Sequence, residues 1–311
     1  MFWLFIAAGL LLLTLGAEAL IRGATSIAKR LGLSDLLIGV TLVGFGTSSP
    51  ELVSSLGAAF AGSPGVAVGN VVGSNIANIL LILGLAALIA PIPVGAEGFR
   101  RDAPVLVLST LAAIGVSMTG EYGRIAGVVF IAALAAYLAT AYITEKRAAQ
   151  AQLIDIPHEA PRPLLPSLIF TIAGLALLIG GAKLLVTGAI GIATALNISE
   201  TLIGLTIVAI GTSLPELVTS VVASLRGKSD LAFGNVVGSN IYNILGILGA
   251  TALIHPVAAP LAIIRFDNWI MAAATAALVF FAMSRNRIGR TEGMMLLICY
   301  IVYIGFLAMN A

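Results

Sequence analysis

Charged side chains are scarce in this chain of 311 residues: they make up 10% of it, whereas hydrophobic residues make up 59%. Soluble domains carry roughly 25% charged residues, so this chain cannot cover a water-facing surface. The net charge is only +2, which excludes the basic surface that nucleic-acid binding needs. The single cysteine, Cys299, excludes an internal disulfide and a cysteine-based metal cluster. The two histidines, His158 and His255, lie beside prolines in connecting segments, which argues against a histidine-ligated zinc or iron site.

Long apolar runs take the place of the missing charges, and the mean hydropathy is +1.10. A run such as LFIAAGLLLLTLGA shows no alternation of polar and apolar residues, so it crosses a bilayer as a helix, whose backbone groups are bonded internally. No basic residue precedes this first run, so we expect it to remain as a helix rather than to be cleaved as a signal peptide. A spanning helix needs about 20 residues. The sequence predicts an all-α integral membrane protein with ten transmembrane helices, at residues 2–21, 35–60, 66–90, 103–119, 122–143, 164–187, 199–225, 231–254, 267–284 and 290–310.

Two stretches of the chain recur at a fixed distance of 165 residues. GTSSPELVSS at 46–55 recurs as GTSLPELVTS at 211–220, and GNVVGSNIANIL at 69–80 recurs as GNVVGSNIYNIL at 234–245. Across a window of 40 positions that contains both segments, about 24 residues are identical. The chain is therefore predicted to consist of two copies of one structural unit.

Each predicted unit holds five helices, and an odd number makes the second unit enter the membrane in the opposite direction. The sequence therefore predicts two inverted five-helix repeats, 1–144 and 164–311, joined by the polar linker 145–163. Inverted repeats are typical of secondary transporters, which bind their substrate at mid-membrane between the halves.

Basic residues lie mainly on one side of the predicted membrane. All but three of the 16 lysines and arginines fall in the loops after the odd-numbered helices or in the linker, and the exceptions are Arg124, Lys183 and Arg265. Because cytoplasmic loops carry the excess of basic residues, we expect the linker in the cytoplasm and both termini outside. We expect a multi-pass protein of the plasma (inner) membrane that contacts the lipid bilayer and has no obligatory protein partner.

Only two of the 14 carboxylates, Glu51 and Glu216, lie well inside long apolar stretches. They occupy equivalent positions in the two units, and neither helix carries a lysine or arginine near its middle. A charged group at the bilayer centre costs at least about 2.5–3.5 kcal/mol, so a bound cation is the natural compensation. The alternative is a purely structural pair of protonated glutamates that are hydrogen-bonded in the core.

Prolines and oxygen-bearing residues surround both glutamates. Pro50 and Pro215 remove a backbone N–H and crowd the carbonyls of Gly46 and Gly211, so we expect a kinked or unwound stretch in each helix. Oxygen ligands are available from Thr47, Thr212, Ser74, Asn78, Ser239 and Asn243. Hard oxygen ligands suit Ca²⁺ rather than zinc or copper. Because monovalent cations can occupy the same oxygens, the sequence predicts antiport of mutually exclusive ions.

The remaining asparagines of the GNVVGSN segments suggest a structural role. We expect their amides to bond backbone groups that the neighbouring glycines expose. These residues are Asn70, Asn75, Asn235 and Asn240.

The doubled motif G-T-S-x-P-E-L followed by G-N-V-V-G-S-N-I-x-N-I resembles the α-repeats of the sodium/calcium exchangers, within the cation/calcium exchanger superfamily. The resemblance covers nearly the whole chain. It implies exchange of Ca²⁺ for Na⁺ by alternating access, with helices 1 and 6 sliding across a core of helices 2, 3, 7 and 8. It also implies the ion ligands: Glu51 and Glu216 at the centre, the carbonyls of Thr47 and Thr212 for Ca²⁺, Ser48, Ser213, Ser74, Ser239 and the carbonyls of Gly44 and Ala209 for Na⁺, and Asn78 and Asn243 in the central layer.

Departures from the family pattern concern the counter-ion. Some members carry aspartate where this chain has Asn243, and K⁺-dependent relatives use a carboxylate there, so we expect exchange that is independent of K⁺. The proton/calcium branch carries G-N-x-x-E in place of G-T-S-x-P-E, which favours Na⁺ as the driving ion. A H⁺- or K⁺-coupled antiporter is the alternative. We expect Ca²⁺ export, since resting Na⁺ and voltage gradients favour it, and no bound cofactor.

Two hypotheses come from other functional classes. A cation channel would use weak ligands at several sites, whereas paired glutamates at a repeat interface predict one tight central site. An intramembrane hydrolase would need a histidine or lysine beside its serine, and none lies at membrane depth near these serines. Both hypotheses are therefore less favoured than an antiporter, which is not an enzyme.

Overall fold

The computed structural model describes residues 2–151, 163–196 and 209–310, and these residues are predominantly helical. The first half of the chain contains the helices α1 (Phe2–Leu31), α2 (Asp35–Ile38), α3 (Gly44–Thr47), α4 (Ser49–Phe60), α5 (Pro64–Ala77), α6 (Gly84–Ile89), α7 (Ala96–Ser117) and α8 (Arg124–Ala151). The second half contains α9 (Leu164–Ala195), α10 (Ala209–Thr212), α11 (Leu214–Leu225), α12 (Ser229–Ile241), α13 (Gly249–Ile254), α14 (Asn268–Arg285) and α15 (Arg290–Asn310).

Short π-helical segments join several of these helices end to end. They span Gly39–Val43, Asn78–Leu83, Tyr242–Leu248 and Ile263–Asp267. A π-turn inserts an extra residue and shifts the side chains that follow it around the helix axis. Two of the segments begin at or beside the predicted ligands Asn78 and Asn243.

Seven of the described helical stretches are long and apolar enough to cross a membrane. An eighth span results if Asp35–Thr47 and Ser49–Phe60, which meet at a bend of 43°, form one crossing. Two predicted spans fall outside this count. The predicted span 103–119 corresponds to α7, which begins with charged residues. The predicted span 199–225 is represented only by the short α10 and the 12-residue helix α11, because its first residues lie outside the described part of the chain. The structure thus supports an all-helical multi-pass membrane protein.

Several predicted helix boundaries are wrong. The first helix continues to Leu31 rather than ending at residue 21, so Glu18 lies inside α1 and not near its end. Helices α8 and α9 likewise run past residues 143 and 187, and α7 begins before residue 103. Hydropathy locates only the part of a helix in hydrocarbon, and the backbone remains helical through the polar interface.

Helix α8 continues into the predicted linker 145–163. The first seven residues of that linker, 145–151, belong to α8. Residues 152–162 lie outside the described part of the chain.

The two longest helices, α1 and α9, pack antiparallel through glycines. A Cβ atom added at Gly9 would lie 2.8 Å from the carbonyl oxygen of Gly181, and one at Gly16 would lie 2.9 Å from that of Gly174. Such close backbone approach is typical of membrane helices, where small residues replace the missing hydrophobic driving force. The glycines are seven residues apart in each helix and occupy equivalent positions of the two repeats.

Two short antiparallel ribbons each combine one strand from either half. β1 (Ile92–Pro93) pairs with β4 (Arg287–Ile288), and β2 (Glu121–Tyr122) pairs with β3 (Val257–Ala258). β1 and β3 are separated by the repeat distance of 165 residues, so equivalent strands occupy different ribbons. From Leu231 onward, helix α12 and the π-helical segment that follows it are buried on all sides, which places the second GNVVGSN motif at the centre of the bundle.

Candidate ion-binding site

Each GTSxPEL motif breaks its helix at the serine that follows the threonine. Ser48 separates α3 from α4, and Ser213 separates α10 from α11. Pro50 and Pro215 occupy the first turn after the break, where a missing N–H costs no hydrogen bond. The kink predicted for the first motif is confirmed by the bend of 43°.

The two glutamates are buried and lie across from each other between the halves. Each is only 1% exposed. Ser48 Oγ donates a hydrogen bond of 2.7 Å to Glu216 Oε1, and Ser213 Oγ donates one of 3.2 Å to Glu51 Oε1. The serine at each helix break therefore binds the glutamate of the opposite half, which brings both motifs to one site.

Further buried oxygens around the glutamates have no hydrogen-bond partner within the described residues. They are Oε2 of Glu51 and of Glu216 and Oδ1 of Asn78 and of Asn243. Burying polar atoms without partners costs free energy, and most for ionised groups. Neither glutamate forms a salt bridge with a lysine or arginine in the part of the chain described above. Two carboxylates and neutral amide oxygens are a donor set that a hard cation satisfies.

The serines of the GNVVGSN segments also contact the opposite half. Ser74 Oγ lies 3.3 Å from Ser213 Oγ, and Ser239 Oγ lies 3.4 Å from the carbonyl oxygen of Gly44. A Cβ atom at Gly44 would lie 3.1 Å from the backbone nitrogen of Ser239. Gly44 therefore permits the close approach of the first motif to α12.

The predicted threonine ligands flank the same breaks. Thr47 is fully buried, and its hydroxyl lies 3.0 Å from the carbonyl oxygen of Val43 and 3.2 Å from Asn235 Oδ1. Thr212 is half-buried and immediately precedes Ser213. Ala209 begins the described part of its helix, three residues before Thr212.

Two of the asparagines expected to bond backbone groups support the glutamates directly. Asn70 Nδ2 donates to the carbonyl oxygen of Glu51 (3.2 Å), and Asn235 Nδ2 donates to that of Glu216 (3.3 Å). Sequence reasoning predicted the type of bond but missed that the glutamates themselves are the acceptors. Asn240 bonds the carbonyl of Val236, four residues earlier in its own helix.

Asn75 departs from the expectation, since neither of its side-chain polar atoms has a hydrogen-bond partner among the described residues. The described residues contain no cluster of three or more histidine, cysteine, aspartate or glutamate side chains. A cation site at the two glutamates must therefore draw on neutral oxygens, as the motifs suggest.

Comparison with known proteins gives consistent matches over nearly the whole chain. The model of a family described as "Sodium/calcium exchanger protein" matches residues 1–143 and 166–309. CaxA from Alkalimonas amylolytica is 40% identical over 307 residues, which cover 96% of each chain. The sodium/calcium exchanger MaX1 from Methanosarcina acetivorans is 32% identical, and the match covers 97% of each chain.

The fold also matches a solved structure. The sodium-calcium exchanger NCX_Mj, soaked with zero Na⁺ and Ca²⁺, shares 34% sequence identity with this chain and has a TM-score of 0.85. The match covers 97% of both chains. At this identity and coverage the likeness extends to the helices that carry both motifs.

Proposed function

Because this chain belongs to the sodium/calcium exchanger family, we propose that it exchanges Ca²⁺ for Na⁺ across a membrane at the site between Glu51 and Glu216. It acts as a secondary transporter and not as an enzyme. The reciprocal hydrogen bonds from Ser48 and Ser213 to the glutamate of the other half carry this proposal, because they build one site from both repeats. Such a site can face either side of the membrane when the halves move.

In the proposed site the two carboxylates neutralise Ca²⁺ and the surrounding oxygens complete its shell. The same oxygens hold Na⁺ when Ca²⁺ leaves, so the ions compete and each half-cycle carries one kind of ion. The proposed ligands are Glu51, Glu216, Asn78 and Asn243 at the centre, the carbonyls of Thr47 and Thr212 beside them, and Ser48, Ser213, Ser74, Ser239 and the carbonyls of Gly44 and Ala209 at the flanks. The burial of both glutamates and the unpartnered amide oxygens support this assignment.

We further propose ten transmembrane helices arranged as two inverted repeats, 1–144 and 164–311, joined at 145–163. The antiparallel contact of α1 with α9 and the two mixed ribbons support this arrangement, because each contact between the halves recurs with the equivalent residues exchanged. Since both halves contribute to the site, one chain contains everything that exchange requires. No cofactor and no partner protein enter the proposal.

The direction and setting of transport follow from charge. The excess of basic residues on the linker side favours a cytoplasmic linker, external termini and insertion in the plasma membrane. Resting Na⁺ and voltage gradients then drive Ca²⁺ out of the cell. Asn243 supplies an amide rather than a carboxylate, which favours Na⁺ over a K⁺-coupled cycle.

The test is uptake of radioactive Ca²⁺ into proteoliposomes with outward gradients of Na⁺, K⁺ or H⁺ imposed separately. We expect uptake with the Na⁺ gradient alone, and none with the Glu51→Gln variant reconstituted in equal amount. Uptake driven only by H⁺ or K⁺ would show that this ion, and not Na⁺, is the counter-ion. Ohmic single-channel currents would show that the protein is a channel and not an exchanger.

A further inference from the structure

Equivalent faces of α4 and α11 are buried to different degrees. Thr219 and Ala223 of α11 are fully buried, whereas the residues at the equivalent positions of α4, Ser54 and Ala58, are half-exposed. If the halves packed symmetrically, these pairs would be buried alike. The bundle is therefore closed beside α11 and more open beside α4.

The closed side lies at the end of the bundle that leads to residues 152–162, which we call the linker end. The backbone nitrogen of Ser34, in the turn before α2, donates to Glu145 of α8 near that end (3.0 Å). Ala223 of α11 packs there in one apolar cluster with Ala24 and Ile27 of α1. Helix α1 thus covers the half of α11 that runs from the ion site to the linker end.

Two ion pairs connect the repeats at the linker end. Arg226 lies 2.9 Å from Glu18 of α1, and Lys228 lies 2.8 Å from Asp35 at the start of α2. Glu18 also contacts Arg22 of its own helix at 2.6 Å. Both basic residues belong to the turn between α11 and α12, so the two ion pairs link this turn of the second repeat to α1 and α2 of the first repeat.

In the first repeat, the positions equivalent to the two basic residues carry uncharged side chains. The positions equivalent to Arg226 and Lys228 are Ala61 and Ser63, and the position equivalent to Glu18 is Lys183. The repeat is therefore symmetric at the ion site and asymmetric in the charges that could hold one end closed.

Unpartnered hydroxyl groups follow the covered face of α11. Thr219 and Ser224 are 0% and 3% exposed, and neither hydroxyl has a hydrogen-bond partner among the described residues. They lie three and eight residues after Glu216, at the two edges of the buried face of the helix. The position equivalent to Ser224 is Ala59, so an apolar residue fits such a place, and a buried hydroxyl without a partner is the less stable choice.

We propose that Thr219 and Ser224 line the route by which ions pass between Glu216 and the linker end, and that the pairs Glu18–Arg226 and Asp35–Lys228 hold this route closed. The hydroxyls replace water around a passing cation when α1 moves away from α11. This inference rests on the proposed function, because it assigns an exit to the same ion site.

The test measures access to the route rather than transport. In a Cys299→Ser background, which removes the single cysteine, Thr219→Cys and Ser224→Cys are made separately and reconstituted in vesicles. A membrane-impermeant maleimide is added at the linker end and its rate of attachment is measured by mass spectrometry. Removing both pairs with Arg226→Ala and Lys228→Ala should accelerate labelling at both cysteines by about 2- to 30-fold, the range for two partly exposed ion pairs.

Two matched variants distinguish the opening of this route by loss of the ion pairs from a general loss of helix packing. Lys29→Ala removes an exposed basic residue of the same end that forms no described salt bridge, and it should leave both rates unchanged. The charge swap Asp35→Lys with Lys228→Asp keeps an ion pair at this place with its charges exchanged, so this variant should be labelled at nearly the parent rate. Acceleration at Ser224→Cys alone would indicate fraying of the helix end and would overturn the proposal, as would equal rates in all variants.

Na⁺-driven Ca²⁺ uptake is measured on the same vesicles. Ca²⁺ uptake together with unchanged labelling rates would reject the role of the ion pairs in closing the route, and it would still support Na⁺/Ca²⁺ exchange. No uptake in the Cys299→Ser parent rejects the proposed function, whatever the labelling shows. Elution of each variant as a single sharp peak in size-exclusion chromatography confirms that it is folded.

Discussion

Replacing Ser48 with alanine should weaken the binding of Na⁺ far more than the binding of Ca²⁺. Ser48 Oγ donates to the buried carboxylate of Glu216 at 2.7 Å, and it is also a proposed Na⁺ ligand. Alanine removes one hydroxyl and leaves both carboxylates in place. Ca²⁺ keeps its two charged ligands, whereas Na⁺ loses a direct oxygen.

The size of the effect follows from the bond. A hydrogen bond to a charged group contributes about 1.5–3 kcal/mol, which corresponds to a change of about 10- to 150-fold in an equilibrium constant. We therefore expect half-maximal Na⁺ activation to require at least about tenfold more Na⁺ in Ser48→Ala. Asn235 still bonds the backbone carbonyl of Glu216, so the helix that carries this ligand remains in position for Ca²⁺.

The assay is Ca²⁺ uptake into proteoliposomes at varied internal Na⁺ and, separately, at varied external Ca²⁺. Ser49→Ala is the matched control, because its hydroxyl bonds the carbonyl of Phe45 in its own half and does not contact a glutamate in the described structure. The control should behave as the parent does. Equal losses of Na⁺ and Ca²⁺ dependence in Ser48→Ala, or no loss, would refute the separate roles assigned to hydroxyl and carboxylate.

The remaining predictions concern the carboxylates, the central amide and the helix contact. Glu51→Gln and Glu216→Gln should each abolish Ca²⁺ uptake without unfolding, since each removes half of the site's negative charge; wild-type uptake in either contradicts the site. Asn243→Asp should alter ion selectivity and introduce sensitivity to K⁺, measured as uptake with and without K⁺; an unchanged profile means that the central layer is misassigned. Gly16→Leu should lower the thermal unfolding temperature in detergent, because a Cβ there meets the Gly174 carbonyl at 2.9 Å; an unchanged temperature would show that this contact tolerates separation.

The residues of the site could be predicted from the sequence because the two repeats can be compared with each other. Glu51 and Glu216 stand out by their equivalent positions in apolar helices, and the prolines beside them predict the helix break. The reciprocal bonding of Ser48 and Ser213 could not be predicted, since it depends on how the halves face each other. That arrangement is set by long-range packing, which leaves no local pattern in the motifs.

Other features escaped the sequence for different reasons. The extension of α1 to Leu31 was missed because hydropathy falls at the membrane surface although the helix continues. The π-turn at Asn78 leaves no clear composition signal. The ion pair between Glu18 and Arg226 joins residues more than 200 positions apart, and the early helix end assigned to the first span concealed it.

The central claim is that one cation shares the two buried glutamates and gives way to Na⁺. Equilibrium binding of radioactive Ca²⁺ to the purified protein, titrated with Na⁺, tests it most directly. We expect saturable Ca²⁺ binding that Na⁺ displaces competitively and that the double variant Glu51→Gln, Glu216→Gln loses. Ca²⁺ that stays bound in the double variant, or that Na⁺ does not displace from the parent protein, would contradict it.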